Sequence, residues 1–188
     1  MSRGARATYL IATGLAVLVI GGTSVTEIAP RLIWNVSASL PIGLYRLEPP
    51  TGLVIGDLVA VDPPEPLAQF IIARGYVGPG VPLLKRVAAL SGTRVCRGGT
   101  TITVDGQVLG EARERDSLGR PLPIWQGCRL LAEDEVFLMN REVEDSLDDR
   151  YFGPLPLGSV TARIVPIWTD AAGNGRFRRP ATDTAGGP

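Results

Sequence analysis

The sequence predicts a mainly β domain preceded by one apolar N-terminal helix, and three observations lead there. Residues 7–26 carry no charged side chain. Beyond them, short apolar runs are cut repeatedly by glycine and proline, a pattern of strands rather than of long helices. Between two such runs, Thr101–Val104 and Gln107–Leu109, stands Asp105-Gly106, the pair that a two-residue hairpin turn with positive φ favours. At 188 residues the chain has room for about one domain. Its 45% hydrophobic content is enough to build a core.

Taken in order, residues 1–6 carry Arg3 and Arg6, and the uncharged run that follows includes Leu10, Ile11, Leu15, Val17, Leu18, Val19 and Ile20. About twenty helical residues at roughly 1.5 Å each span a hydrocarbon core, so 7–26 reads as a transmembrane anchor. Positive charge before it, and Glu27 ahead of Arg31 after it, place residues 1–6 in the cytoplasm and 27–169 outside. The alternative is a cleaved secretory signal with Gly21, Gly22 and Ser24 as its small-residue cleavage region. Either reading exports the rest. Strands are expected at 43–47, 58–61, 83–90, 101–104, 107–109, 135–140 and 159–167, with a short helix over 66–74 opened by Pro66. After Trp168 the apolar periodicity ends, and 170–188 reads as a flexible tail.

The chain has no histidine, and its 19 basic residues are 18 arginines and Lys85. That composition excludes a Ser-His-Asp triad, a Cys-His pair and histidine-based zinc sites, because the proton acceptor or ligand does not exist. A serine-lysine dyad remains possible: burial can lower an amine pKa toward neutrality, whereas a guanidinium stays protonated. Lys85 sits in Leu83-Leu84-Lys85-Arg86-Val87, where strand alternation sets it between Leu83 and Val87 with Arg86 on the other face. A lone amine on an apolar face loses hydration and becomes a usable base. The alternative is a lysine that snorkels its charge to water.

Zero net charge offers no case for a nucleic-acid partner, and no phosphate loop or repeat is present. The acidic stretch Glu142, Glu144, Asp145, Asp148, Asp149 does not follow calcium-loop spacing, so no metal and no cofactor is expected. Cys96 and Cys128 form no C-x-x-C pair; in an oxidising compartment they are expected to be bridged, closing a loop that stabilises by roughly 3–4 kcal/mol. Two free buried thiols are the alternative.

Past the anchor runs Asn35-Val36-Ser37-Ala38-Ser39-Leu40-Pro41-Ile42-Gly43-Leu44-Tyr45, followed at a distance by Lys85-Arg86-Val87 and then Ser146-Leu147-Asp148-Asp149-Arg150-Tyr151-Phe152-Gly153. This ordered set resembles the type I signal peptidase clan. With Asn35, the Pro-x-Gly-x-Tyr continuation and Arg74-Gly75-Tyr76 ahead of Pro82, it is most similar to the TraF-type conjugal-transfer peptidases. The resemblance implies a signal-peptidase-like β domain on an N-terminal transmembrane helix, held in a bacterial inner membrane with its catalytic part in the periplasm. It implies Ser39 as nucleophile and Lys85 as general base. Ser37 then serves the oxyanion with the Ser39 backbone amide, although a hydroxyl here can also be turn-forming. Ser146 orients the Lys85 amine, and Asp148 and Arg150 pair to shape the turn beside it. Asp149 stands where such peptidases often carry serine, which removes a hydroxyl contact to the lysine. Leu40 and Leu84 flank the substrate, whose extended backbone adds to a strand edge near Leu84.

The partner so implied is an exported precursor, a conjugative pilin in the first reading, with cyclisation of its ends as an extension. A general peptidase for secretory preproteins is the second, and a non-catalytic envelope scaffold on the same fold is the third. Cys96 to Leu131 leaves room only for a small hairpin excursion, against the large insert of many housekeeping signal peptidases.

Overall fold

The computed structural model describes residues 3–25 and 31–180. Residues 26–30, which hold the end of the expected anchor and the start of the expected exported domain, and 181–188 of the expected tail lie outside the described residues. The chain divides into two compact units, Met1–Pro30 and Arg31–Pro188.

The first unit contains α1 (Arg3–Val25). Tyr9, Leu10, Ile11, Leu15, Val17 and Leu18 are all exposed on it. At about 100° per residue these positions spread over most of the circumference, so α1 has no single apolar stripe. Among the described residues, no helix is long and apolar enough to cross a membrane.

The second unit is mainly β. Its elements are β1 (Leu32–Asn35), β2 (Ile42–Glu48), β3 (Leu58–Val61), α2 (Leu67–Ala73), β4 (Leu83–Ala89), β5 (Arg94–Gly98), β6 (Thr101–Val104), β7 (Gln107–Glu111), β8 (Gly127–Leu130), β9 (Glu135–Leu138), α3 (Asp149–Phe152), β10 (Leu155–Pro156) and β11 (Val160–Asp170). Seven strands form one sheet in the order β1-β2-β11-β3-β4-β9-β10, and four form a second in the order β7-β6-β5-β8. The expected hairpin is present: β6 pairs with β7, and Asp105 and Gly106 adopt φ 48° and 81°, as a turn with two positive φ values demands.

Alternation along the central strands builds two apolar layers. Val59, Val61, Leu83 and Val87 face one cluster, packed with Ile71 of α2, while Ala60 and Leu84 face another with Leu40, Tyr45 and Ile164. Because both faces of β4 are covered, Lys85 lies inside the protein and only 5% exposed. That excludes snorkelling.

Gly43 opens β2 for a steric reason. A Cβ there would lie 2.2 Å from the Trp168 carbonyl oxygen and 2.7 Å from Thr169 Cα, where β11 shifts register between Pro166 and Trp168. The glycine lets β11 press against the chain just after the Ser39 turn.

The tail expected over 170–188 is corrected over its first part. β11 continues to Asp170, whose carboxylate accepts hydrogen bonds from the Asn174 and Gly175 amides at 3.1 and 2.6 Å. Thr169 and Arg178 then exchange backbone hydrogen bonds at 2.9 Å, and the Phe177 ring lies 5.0 Å from Trp168 and 5.6 Å from Trp34. A turn cap and a three-ring cluster do here what apolar periodicity does elsewhere.

Candidate active site

Ser37, Ala38 and Ser39 form the turn between β1 and β2, and Asn35 at the end of β1 builds it. The buried Asn35 amide donates to the carbonyl oxygens of Ser37, Leu40 and Pro41 at 2.9, 3.0 and 3.1 Å. Its Oδ1 accepts from the Ser37 backbone amide at 3.0 Å and from Ser37 Oγ at 2.8 Å. One side chain thus ties together the backbone on both sides of Ala38 and Ser39. Ser37 Oγ and Ser39 Oγ lie 2.9 Å apart. Since the Ser37 hydroxyl proton is committed to Asn35, Ser39 is the donor in that contact. Tyr45 OH supports the turn from beneath, donating to the Pro41 carbonyl at 2.6 Å, and burial pushes its pKa up to about 12 against the lowering effect of Arg86.

Lys85 enters from β4, paired with Val59 of β3. Its Nζ donates to Ser146 Oγ at 3.1 Å. Burial pushes the Lys85 pKa down from its ordinary 10.5; the Arg150 charge pushes the same way, and Asp148 and Asp149 oppose it. Asp149 is held well above the usual carboxylate range, first by burial and then by the Asp148 charge, although its carboxylate accepts the Leu138 amide at 2.6 Å. Both groups are favoured in their uncharged forms because neither charge is hydrated.

The loop that carries Ser146 is tied to a buried ion pair. Arg150 Nε donates to Asp148 Oδ1 at 2.7 Å and Nη2 to Oδ2 at 3.1 Å, with both side chains at most 1% exposed. The remaining guanidinium protons reach the carbonyls of Glu111, Asn140, Val143 and Glu144 at 3.0 to 3.1 Å. Asp148 also caps α3 and accepts the Asn140 amide at 3.1 Å. Arg150 thus ties Asp148 to the backbone of the loop that carries Ser146 and to that of β7.

The β4 edge beside Leu84 is not bare. Asn140 inserts its side chain there, donating from Nδ2 to the Leu84 carbonyl at 3.2 Å and accepting the Arg86 amide on Oδ1 at 2.9 Å. Leu40 and Leu84, both buried, belong to the same apolar cluster beneath the turn. Cys96 and Cys128 are bonded, S–S 2.06 Å, across the register pair that joins β5 to β8. Among the described residues no cluster of three metal-ligating side chains occurs.

Ser39, Ser37, Lys85, Ser146 and Leu84 line one cavity of ≈ 530 Å³, with Ile33, Val77, Val81 and Leu147 as its apolar walls. Ser39 and Lys85 share this space without a hydrogen bond between them. The features that sequence reasoning left without a role are Asn35 and Asn140. Asn35 ahead of two serines is an Asx-turn signal; Asn140 carries no local signal, because its partners are some fifty residues away.

A half-buried hydroxyl that shares a cavity with a dehydrated amine, with a second hydroxyl beside it, is a set of groups chemically suited to acyl transfer. The sequence matches the family described as signal peptidase, peptidase S26, over residues 5–169. The chain belongs to that signal peptidase family. More particularly, it is 35% identical over 149 residues to the "Probable conjugal transfer protein TraF" of Sinorhizobium fredii, covering 73% of this chain and 77% of that one. It is 32% identical over 166 residues to the conjugal transfer protein TraF of Agrobacterium fabrum, covering 83% and 93%. Among solved structures, a signal peptidase I from Enterococcus faecalis superposes with a TM-score of 0.37 at 20% identity, covering 61% of this chain and 98% of that one.

Proposed function

We propose that the protein is a membrane-anchored serine endopeptidase that uses Ser39 and Lys85 to cleave an exported precursor, a pilin of a conjugation apparatus. The observation that carries the reading is the dehydrated Lys85 amine, hydrogen-bonded to Ser146 in the cavity that Ser39 lines. The kinship with conjugal transfer proteins supports the substrate.

In this mechanism the neutral Lys85 amine takes the Ser39 proton as Oγ attacks the scissile carbonyl. The free enzyme shows no direct contact between the two, and such bonds commonly tighten only when substrate is bound. The oxyanion is received by the Ser39 backbone amide and the Ser37 hydroxyl. Substrate binding must therefore turn the Ser37 proton away from Asn35, where it rests in the free enzyme. Collapse of the tetrahedral adduct breaks the C–N bond, and the Lys85 ammonium returns its proton to the leaving amine. Water, deprotonated by the same lysine, then hydrolyses the acyl-Ser39 ester. If the precursor's own amino terminus attacks instead, the product is a ring.

Residues 7–26 serve as the anchor in this reading, supported by the absence of charge and by the apolar side chains exposed round α1. Exposed Leu32, Trp34, Ile42 and Trp168 beside the Ser39 turn suit a cleft held against the periplasmic face of the inner membrane. Alkaline extraction of membranes tests the anchor. For the activity, mass spectrometry of a candidate pilin incubated with the protein reports cut position and ring closure together. Unchanged pilin alongside processed secretory preproteins would favour a general signal peptidase; no processing and no fluorophosphonate labelling of Ser39 would leave a non-catalytic scaffold.

A further inference from the structure

Ser39 stands between two unlike surfaces. On one side is the apolar cavity it shares with Lys85. On the other, Ser39, Leu40, Pro41, Arg86, Glu142 and Asp170 line a depression of ≈ 470 Å³. Pro41, Arg86 and Ala171 also line an adjoining depression of ≈ 550 Å³, walled by Arg176, Arg178 and Arg179.

The charges on this second side do not cancel. The Asp170 carboxylate is engaged by the amides of Asn174 and Gly175, and Glu142 is paired with Arg141 at 3.0 Å. Arg86 donates from Nη1 to the Gly56 carbonyl at 2.8 Å, while its buried Nε has no partner. Arg176, Arg178 and Arg179 are exposed and have no acidic partner among the described residues. The segment that carries them is anchored, because the Arg178 backbone is paired with Thr169 and Phe177 packs against Trp168 and Trp34. Exposed guanidinium groups without acidic partners, carried on an anchored backbone next to the depression that Ser39 lines, can receive carboxylates.

We propose that this arginine-walled groove binds acidic side chains in the part of the substrate that follows the cut, so that the segment leaving with the new amine is selected by negative charge. The inference rests on the peptidase reading, in which small and apolar residues before the cut occupy the Lys85 cavity and the chain then crosses Ser39 toward Arg86. Partly exposed ion pairs of this kind together give about a three- to ten-fold preference that weakens with salt.

The test uses full-length protein in detergent and short fluorescent peptides identical before the cut, with Glu, Gln or Lys at the second and third positions after it. Binding is read by anisotropy on the Ser39→Ala protein, and cleavage is read separately on the unmodified one. The Glu peptide is expected to bind about three- to ten-fold tighter than the Gln peptide, with Lys weakest. The ratio should fall below about two in an Arg176→Gln, Arg178→Gln protein. Equal binding of Glu and Gln peptides, or a preference that survives the double substitution, overturns the proposal. So does a double variant that keeps the peptide preference but loses binding to phosphatidylglycerol vesicles, since the arginines would then face lipid. Preference without any cleavage supports the groove and counts instead against the Ser39–Lys85 chemistry.

Discussion

The two sheets of this protein are held together by different means. The seven-stranded sheet surrounds a group of buried polar side chains, Asn35, Lys85, Asn140, Ser146, Asp148, Asp149 and Arg150, whose dehydration is costly. The four-stranded sheet carries one such group, Arg97 of β5, whose Nη1 donates to the Arg150 carbonyl at 2.7 Å; its edge strand β8 is exposed at all four residues and is stapled to β5 by Cys96–Cys128. Charge is buried around the Lys85 amine and the loop that carries Ser146. At the exposed β8 edge a covalent bond closes the structure. Damage to the large sheet should therefore cost fold and activity together, and loss of the β5–β8 staple fold alone.

The largest expected effect is at Arg150. Arg150→Leu strands Asp148 and frees four carbonyls, and should cost about 3–5 kcal/mol in denaturant unfolding. A loss below about 1 kcal/mol would mean that the ion pair does not organise the site. Next comes the staple: replacing both Cys96 and Cys128 by serine should cost roughly 3–4 kcal/mol while the turnover of folded molecules stays within a few-fold. Inactive but fully folded double mutant would erase the distinction between the sheets. Asn35→Ala should cost about 1–3 kcal/mol, because the carbonyls of Ser37, Leu40 and Pro41 lose their common donor. It should also lower kcat more than it raises KM, as a misplaced nucleophile does. The smallest effect is expected at Asp149→Asn. Burial pushes the Asp149 pKa up and so favours the uncharged carboxyl, which a neutral amide of the same shape replaces, and stability should change by less than about 1 kcal/mol at neutral pH. A large loss there would show that Asp149 is ionised.

The buried pair also sets opposed slopes of stability against pH. Lys85 has a folded pKa below its unfolded value near 10.5, so the unfolded chain binds more protons between the two. Its contribution therefore rises with pH across that window and is lost as pH falls through the folded pKa. Asp149 has its folded pKa above the unfolded 3.8, so its contribution is present below 3.8 and is lost as pH rises through the folded value. Urea titrations of Lys85→Met and Asp149→Asn against the parent protein should remove one slope each.

Much of this arrangement is legible in the residues, for identifiable reasons. The strands β3 and β4, the helix α2 and the Asp105-Gly106 hairpin announce themselves through alternation, a starting proline and a turn pair, all local signals. β1, β5 and β8 do not: Leu32–Asn35 reads as a continuation of the apolar flank, and Arg94–Gly98 and Gly127–Leu130 owe their pairing to each other and to a disulfide. The stretch after Asp170 was opaque because a carboxylate cap and three aromatic rings from distant segments order it. In the site, the order of the serine, lysine and Ser146–Arg150 motifs draws attention to Ser37, Ser39, Lys85 and Ser146, which the fold brings around one cavity. What it could not convey is the filling of the β4 edge by Asn140, which depends on a residue just after β9 meeting a strand some fifty residues earlier.

The central claim is that Lys85 works as a neutral base, and the most direct measurement of it is the initial rate of cleavage of a peptide spanning the precursor's cut, followed across pH. For the parent protein the rate should rise with pH through an apparent pKa below 10.5, since only the deprotonated amine accepts the Ser39 proton. Lys85→Arg, shown by circular dichroism to be folded, should have no measurable turnover at any pH, because a guanidinium remains protonated. A folded Lys85→Arg protein that cleaves at a near-normal rate would contradict the account.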